Sequence, residues 1–276
     1  MTDIDMSESV LTRREGPWLH VTFNRPDNRN AMSPELVAGV RAAFASVADD
    51  RTCRAIVLRG NGNTFSAGGD IRGFKSGQGE ATDSGEGGRD PMWLRNRQGG
   101  DFFTVIDQAP QAVIAVVDGA AMGGGFGLVC CADIVVATER ARMGLTETTL
   151  GILPAQILPF VIARIGKAKT RRLTVTAERI KTDAAAELGL VDYPVTDLDA
   201  AEVIVAQELE KIRRSAPLAL KHAKEVIQAV GTMSLSDTLD FAADRFTASM
   251  RSGEGAEGVK AFLEKRPPVW AETDGN

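Results

Sequence analysis

Histidine, cysteine and tyrosine are scarce in this chain of 276 residues, at two, three and one. His20 sits in an alternating strand-like run and His222 on a helix-like one. Neither accompanies a nucleophile motif, which argues against a Ser-His-Asp triad recruiting Ser66. Cys53, Cys130 and Cys131 are odd in number and lack metal-ligand spacing. No disulfide framework and no metal site are therefore expected, and a reduced, cytoplasmic setting is. Long apolar runs are missing too: Ala112–Val117 and Ile152–Ile165 are too short or too interrupted to span a bilayer. The net charge of −5 offers no surface for nucleic acid or anionic membrane. The opening "MTDIDMSESV" lacks the basic-then-apolar layout of a secretion signal. Nucleotide fingerprints fail as well. "GKA" at Gly166–Ala168 lacks the hydroxyl residue of a P-loop, and Leu128 stands where a dinucleotide motif needs its third glycine after Gly123 and Gly125.

What is present is an alternation of strands and helices. "WLHVTFN" at Trp18–Asn24 alternates, while Arg54–Gly60, Ala112–Asp118 and Ala132–Thr138 read as buried strands. Ser33, Pro34 and Glu35 open a helix as cap, first-turn proline and dipole-matched acid. Its apolar positions Leu36, Val37, Val40, Phe44 and Val47 share one face. This is an α/β pattern. From Leu198 onward the period turns helical, so residues 1–197 are expected to form the core and 198–276 a C-terminal helical region. The segment near 73–100 is rich in Gly, Ser and charge, and is expected to be a mobile loop walling a pocket, followed by a helix near "LRNRQGGDFFTVIDQA".

The chemistry gathers at two glycine-rich breaks, "SAGGD" (Ser66–Asp70) and "AAMGGGFG" (Ala120–Gly127), each following a strand. The second hands over to a helix, whose first N–H groups have no intrahelical acceptor. Without a Cβ in the way, a ligand oxygen can approach such backbone closely. Two loops of this kind can aim two donors at one oxygen, an oxyanion hole.

Four blocks in order, "NRPDNRNAM", "FSAGGDI", "GAAMGGGFGL…CADIVVA" and "GLTETTLGILP", resemble the signature segments of the enoyl-CoA hydratase/isomerase (crotonase) superfamily. The likeness continues through "TAERIKTDAAAELGLVDYPV" and "SGEGAEGVKAFLEKRPP", nearly the whole chain. The resemblance implies a spiral of ββα units with C-terminal helices that assemble into homotrimers or hexamers, and a coenzyme A thioester as substrate with no further cofactor. It places the oxyanion donors at the backbone N–H groups of Ala67 and Gly124. It lines the coenzyme A groove with Asn28, Arg29, Ala67, Gly68, Gly69 and Asp70.

Members with two catalytic glutamates carry one three residues after the middle glycine and one in a GxxExxLG block. Here Glu147 fills the second position, but Gly127 stands at the first. One carboxylate remains for proton transfer. It could deliver water across an α,β double bond, or shuttle a proton between C2 and C4 as an isomerase does. Hydrolase, dehalogenase and decarboxylase activities of the same fold stay open as alternatives. A non-catalytic scaffold fits less well, since Glu147, Ala67 and Gly124 are all present. The stretch "LPAQILPFV" (Leu153–Val161) is similar to bacterial 3-methylglutaconyl-CoA and isohexenylglutaconyl-CoA hydratases. Such substrates carry a free carboxylate, and Arg95 or Arg97, beside Trp93, is the residue expected to receive it.

Overall fold

The computed structural model describes residues 9–70 and 89–271. The chain opens with an antiparallel pair, β1 (Val10–Glu15) and β2 (Trp18–Phe23). Helix α1 (Pro34–Ala45) follows, its first turn capped by the Ser33 hydroxyl, which accepts from Leu36 N at 3.3 Å. Then come three repeats of one pattern. β3 (Ala55–Gly60) and β4 (Thr64–Ser66) precede α2 (Pro91–Asp107), and β5 (Ala112–Val117) and β6 (Ala120–Met122) precede α3 (Gly124–Cys131). β7 (Ile134–Thr138) and β8 (Arg142–Gly144) precede α4 (Leu158–Ile165). In each repeat the first strand joins a larger sheet and the second a smaller one. The larger runs β1-β2-β3-β5-β7-β10, with β10 at Tyr193–Val195. The smaller runs β4-β6-β8-β9, with β9 at Ile180–Lys181. This is the expected spiral of ββα units. Helices α5 (Lys167–Thr176) and α6 (Thr182–Glu187) complete the turn back to β10.

Strand periodicity then divides the larger sheet into two apolar faces. Ile56, Leu58, Val113, Ala115, Val117 and Val135 point into the main core with Leu36, Val40, Phe44 and Phe126. The alternate residues Ala55, Val57, Ile114, Val116 and Val136 meet Ala201, Val205 and Leu209 of α7 (Leu198–Arg213). The first helix of the C-terminal region therefore covers the sheet. α8 (Pro217–Ala229) is pinned to the same body by Lys224, whose Nζ donates to Gln111 O at 2.8 Å and Asp133 Oδ2 at 2.6 Å. α9 (Leu235–Arg251) and α10 (Gly253–Leu263) follow, and leave Leu235, Leu239, Phe246 and Phe262 largely exposed.

The mobile loop expected near 73–100 needs correction at its C-terminal end. Residues 73–88 lie outside the described residues, but Pro91–Gly100 are the opening turns of α2. Asp90 caps that helix, accepting from Met92 N at 2.6 Å, and Pro91 suits its first turn. A solvated face made these turns look like loop: Met92, Trp93, Arg95 and Arg97 are exposed.

Candidate active site

The two glycine breaks lie against each other. A Cβ built on Gly68 would stand 3.3 Å from Gly124 N and 2.7 Å from Met122 O, and Gly68 has φ +94°, which favours glycine. Gly125 packs directly on the Ser66 backbone, where a side chain would collide with the carbonyl. The loops are tied from behind by residues the motif reading passed over. Asn30 is fully buried, its Nδ2 donating to Asn61 O at 2.9 Å and Thr64 O at 2.6 Å. Its Oδ1 accepts from Arg25 N at 2.8 Å, and its carbonyl accepts from Ser66 Oγ at 2.8 Å. Buried, satisfied polar knots of this kind fix one loop geometry. The signal for it was "NRPDNRN" itself, read as a ligand groove rather than as a clamp.

The first oxyanion donor must be reassigned. The Ala67 N–H is already given to Arg29 O at 2.9 Å, so it cannot also face a thioester oxygen. Gly68 N donates to Ser66 Oγ at 3.2 Å. The Gly69 N–H meets no acceptor among the described residues, although Gly69 bridges Met32 as an irregular parallel pair. Gly124 N opens α3 and likewise has none, while Gly123 N is held by Gly144 O at 2.9 Å. Gly69 and Gly124 thus each present an open amide, one on either of the adjoining loops.

Glu147 arrives from the other side, at the start of a 3₁₀ turn, Glu147–Leu150, closed by Gly151 at φ +74°. Its carboxylate lies over Gly123, where a Cβ would come within 2.8 Å of Oε1. Gly123, at φ +53°, is therefore glycine for its backbone and for the space above it. Glu147 Oε2 is buried with no hydrogen-bond partner among the described residues. Burial pushes the carboxyl upward in pKa, against a weaker pull from the backbone amides of Glu147 and Thr146. A base with a raised pKa and an uncommitted oxygen, beside two open amides, is equipped to move a proton where negative charge develops on an oxygen.

The position of the missing second glutamate is filled. A Cβ on Gly127 would collide with Cγ2 of Ile157 and stand 3.2 Å from Phe103 Cε1. Met32 and Phe103 border Gly124 as well, the latter within 3.5 Å of a Cβ there. This wall is apolar.

Of the expected groove residues, Arg29 is exposed in a left-handed conformation at φ 57°, and Asn28 Oδ1 is buried without a partner among the described residues. Trp93 is stacked by Arg89 at 4.8 Å on the outer face of α2. Arg97 forms an i,i+4 ion pair with Asp101, both about half exposed. The structure thus brings Glu147 to Gly123, next to Gly124, and Gly68 against Gly124, but leaves Trp93, Arg95 and Arg97 exposed on α2. Among the described residues no cluster of His, Cys, Asp and Glu could hold a metal, and no helix is long and apolar enough to cross a membrane.

The family model for enoyl-CoA hydratase/isomerase matches residues 14–273. An enoyl-CoA hydratase/isomerase from Marinobacter aquaeolei superposes with a TM-score of 0.89 at 41% identity, covering 96% of this chain and 99% of that one. Pseudomonas aeruginosa AtuE gives a TM-score of 0.89 at 43% identity, covering 96% of this chain and 100% of its own. Carnitinyl-CoA dehydratase of Salmonella typhi is 31% identical over 279 residues, 96% of this chain and 99% of the relative.

Proposed function

This chain belongs to the enoyl-CoA hydratase/isomerase family, and on that footing we propose that it hydrates a branched, glutaconyl-type enoyl-CoA thioester with Glu147 as its single acid–base group. Enoyl-CoA hydratase-type lyase activity on an acyl-CoA is the coarser statement, and it follows from the family and the named relatives. The finer reading concerns which carboxylate works and on what.

The observation that carries it is the buried, unpartnered Glu147 oxygen beside Gly123, next to the open amide of Gly124. Glu147 takes a proton from water as the water oxygen bonds to C3 of the substrate. The π electrons move onto the thioester oxygen, held by the Gly69 and Gly124 N–H groups. The enolate then collapses as Glu147 returns the proton to C2 on the same face. Water is consumed, no electrons are gained or lost, and one carboxylate suffices. Removing one such amide donor typically costs about 2.7–4 kcal/mol of transition-state stabilisation. Coenzyme A enters as part of the substrate along Asn28, Arg29 and Gly68–Asp70, with no other cofactor. "LPAQILPFV" supports the glutaconyl-type acyl group through its likeness to hydratases of that class. The second reading, C2–C4 isomerisation, would use the same Glu147 without water.

The test follows the enoyl absorbance of crotonyl-, 3-methylglutaconyl- and isohexenylglutaconyl-CoA. Loss of absorbance with a glutaconyl ester, and a 3-hydroxyacyl product, is the expected result. A shifted double bond with no added water would establish the isomerase instead. We extend the proposal to a cytoplasmic homotrimer or dimer of trimers. The exposed Phe246 and Phe262, at 67% and 82%, support an assembled state. A monomeric sedimentation mass at working concentration would refute it.

A further inference from the structure

Helix α2 carries two different walls along one face. Phe103 packs toward Gly124 and Gly127, beside Ile157. One turn earlier stands Gly100, buried, and there the neighbours change to amides and a guanidinium. A Cβ on Gly100 would collide with Gln156 Oε1 and stand 3.2 Å from Arg97 Nη1. Gln156 Nε2 donates to Asn96 Oδ1 at 2.8 Å, on the same helix. Moving away from the open amides, the order is therefore Met32 and Phe103, then Ile157, then Gln156 with Asn96 and Arg97.

We propose that Gln156 and Asn96 are specificity-determining residues that bind the distal carboxylate of the acyl chain, with Arg97 supplying the neighbouring positive charge. The inference rests on the glutaconyl-type reading above and names the residues that would make it so. A carboxylate carried past an apolar wall recovers its hydrogen bonds at the far end, here at the mouth, where Asn96 and Arg97 are exposed and Gln156 is half-buried. Asn96 spends its oxygen on Gln156, which leaves its own amide N–H groups as donors. Gln156 retains a second N–H. Asp101 engages Nη1 of Arg97, and the guanidinium has five N–H donors in all. Against these donors stand Gln156 Oε1 and the Asp101 carboxylate, so the N–H groups outnumber the acceptors, and an incoming carboxylate competes with Asp101 for the Arg97 guanidinium. Gly100 belongs to the same device: without a Cβ there, Gln156 can lie across the helix and reach Asn96.

The experiment compares glutaconyl-CoA with crotonyl-CoA, which differ by the carboxylate on C4. It uses the wild type, Gln156→Leu, Asn96→Leu and Gly100→Ala. Gly100→Ala keeps both amides and favours the helix, yet pushes the Gln156 side chain aside. Each variant should lower kcat/KM for glutaconyl-CoA by about tenfold to a hundredfold, through KM, as expected for lost hydrogen bonds to a charged group. Turnover of crotonyl-CoA should hold within about twofold, which also shows that the variants fold. A wild type that prefers glutaconyl-CoA, with variants that keep the preference, overturns this inference alone. A wild type with no such preference overturns the glutaconyl reading and this inference with it.

Discussion

At Gly123 the first turn of α3 meets a carboxylate, and one turn later, at Gly127, it meets the methyl of Ile157. Both positions are glycine, and in both a Cβ would strike the neighbour. The chemistry they admit is opposite. Beside Gly123, Glu147 leaves one oxygen buried and without a partner among the described residues, open to a ligand. Beside Gly127, Ile157 and Phe103 complete an ordinary apolar packing, with Ile157 3% exposed. The absence of a second glutamate is thus not a vacancy in a two-glutamate site. The space has been taken by a side chain from "LPAQILPFV", the stretch that also places Gln156 on Gly100.

The comparison breaks most sharply if the carboxylate side is disabled. Glu147→Gln keeps the shape over Gly123 and removes the proton carrier. Turnover should fall by about 10²–10⁴-fold, with binding of the coenzyme A ester retained. Near wild-type kcat would remove Glu147 from the mechanism. Gly68→Ala tests the seam between the loops. Alanine is strained at φ +94°, and its methyl would press on Met122 O, shifting the Gly69 and Gly124 amides relative to each other. A drop of about 10²-fold in kcat, from misplacement of about 1 Å, is expected in steady-state assays. Unchanged kcat would show that the two loops do not act as a pair.

On the apolar side the expected effect is smaller and falls on stability. Gly127→Glu overpacks the contact with Ile157 and should destabilise the fold by about 1–3 kcal/mol, read from the denaturation midpoint. Adding Ile157→Gly should recover part of that by making room. If Gly127→Glu alone is neutral, the wall is looser than described.

These residues also show what sequence can and cannot carry. Ser33-Pro34-Glu35 is a local instruction, and α1 begins where it points. Glycines after strands announced close backbone approach, and Gly123–Gly125 supply it. Glu147 was named from its motif position, and its carboxylate lies over Gly123. But a motif names residues and not hydrogen bonds, so it could not tell that the Ala67 N–H is spent on Arg29 O while that of Gly69 is open. The Asn30 knot, joining residues over thirty positions apart, is a tertiary fact. Likewise the first turns of α2 are polar because they face solvent, and composition alone reads that as loop. The filling of Gly127 by Ile157 needed both segments in space.

The finest test of the comparison is pH. Burial raises the Glu147 carboxyl above its ordinary value of 4.5, so the folded protein holds that proton at pH values where the unfolded chain has released it. Between 4.5 and the raised value, stability therefore falls as pH rises, and above it the full penalty of an ionised buried carboxylate persists. Glutamine at 147 escapes that penalty. Glu147→Gln should melt higher than wild type at neutral pH, and the difference should shrink toward zero as pH drops below 4.5. Catalysis runs the other way, because the base must be ionised to take water's proton. The acidic limb of wild-type kcat/KM should accordingly lie above 4.5, in the same interval where the melting difference grows. Gly127→Gln offers the control, since it carries no ionisable group and its damage comes from packing against Ile157. Its melting deficit should survive at acid pH, where that of wild type against Glu147→Gln disappears. A limb at or below 4.5, or a Glu147→Gln variant no more stable than wild type at neutral pH, would mean that Glu147 is solvated and its buried oxygen satisfied.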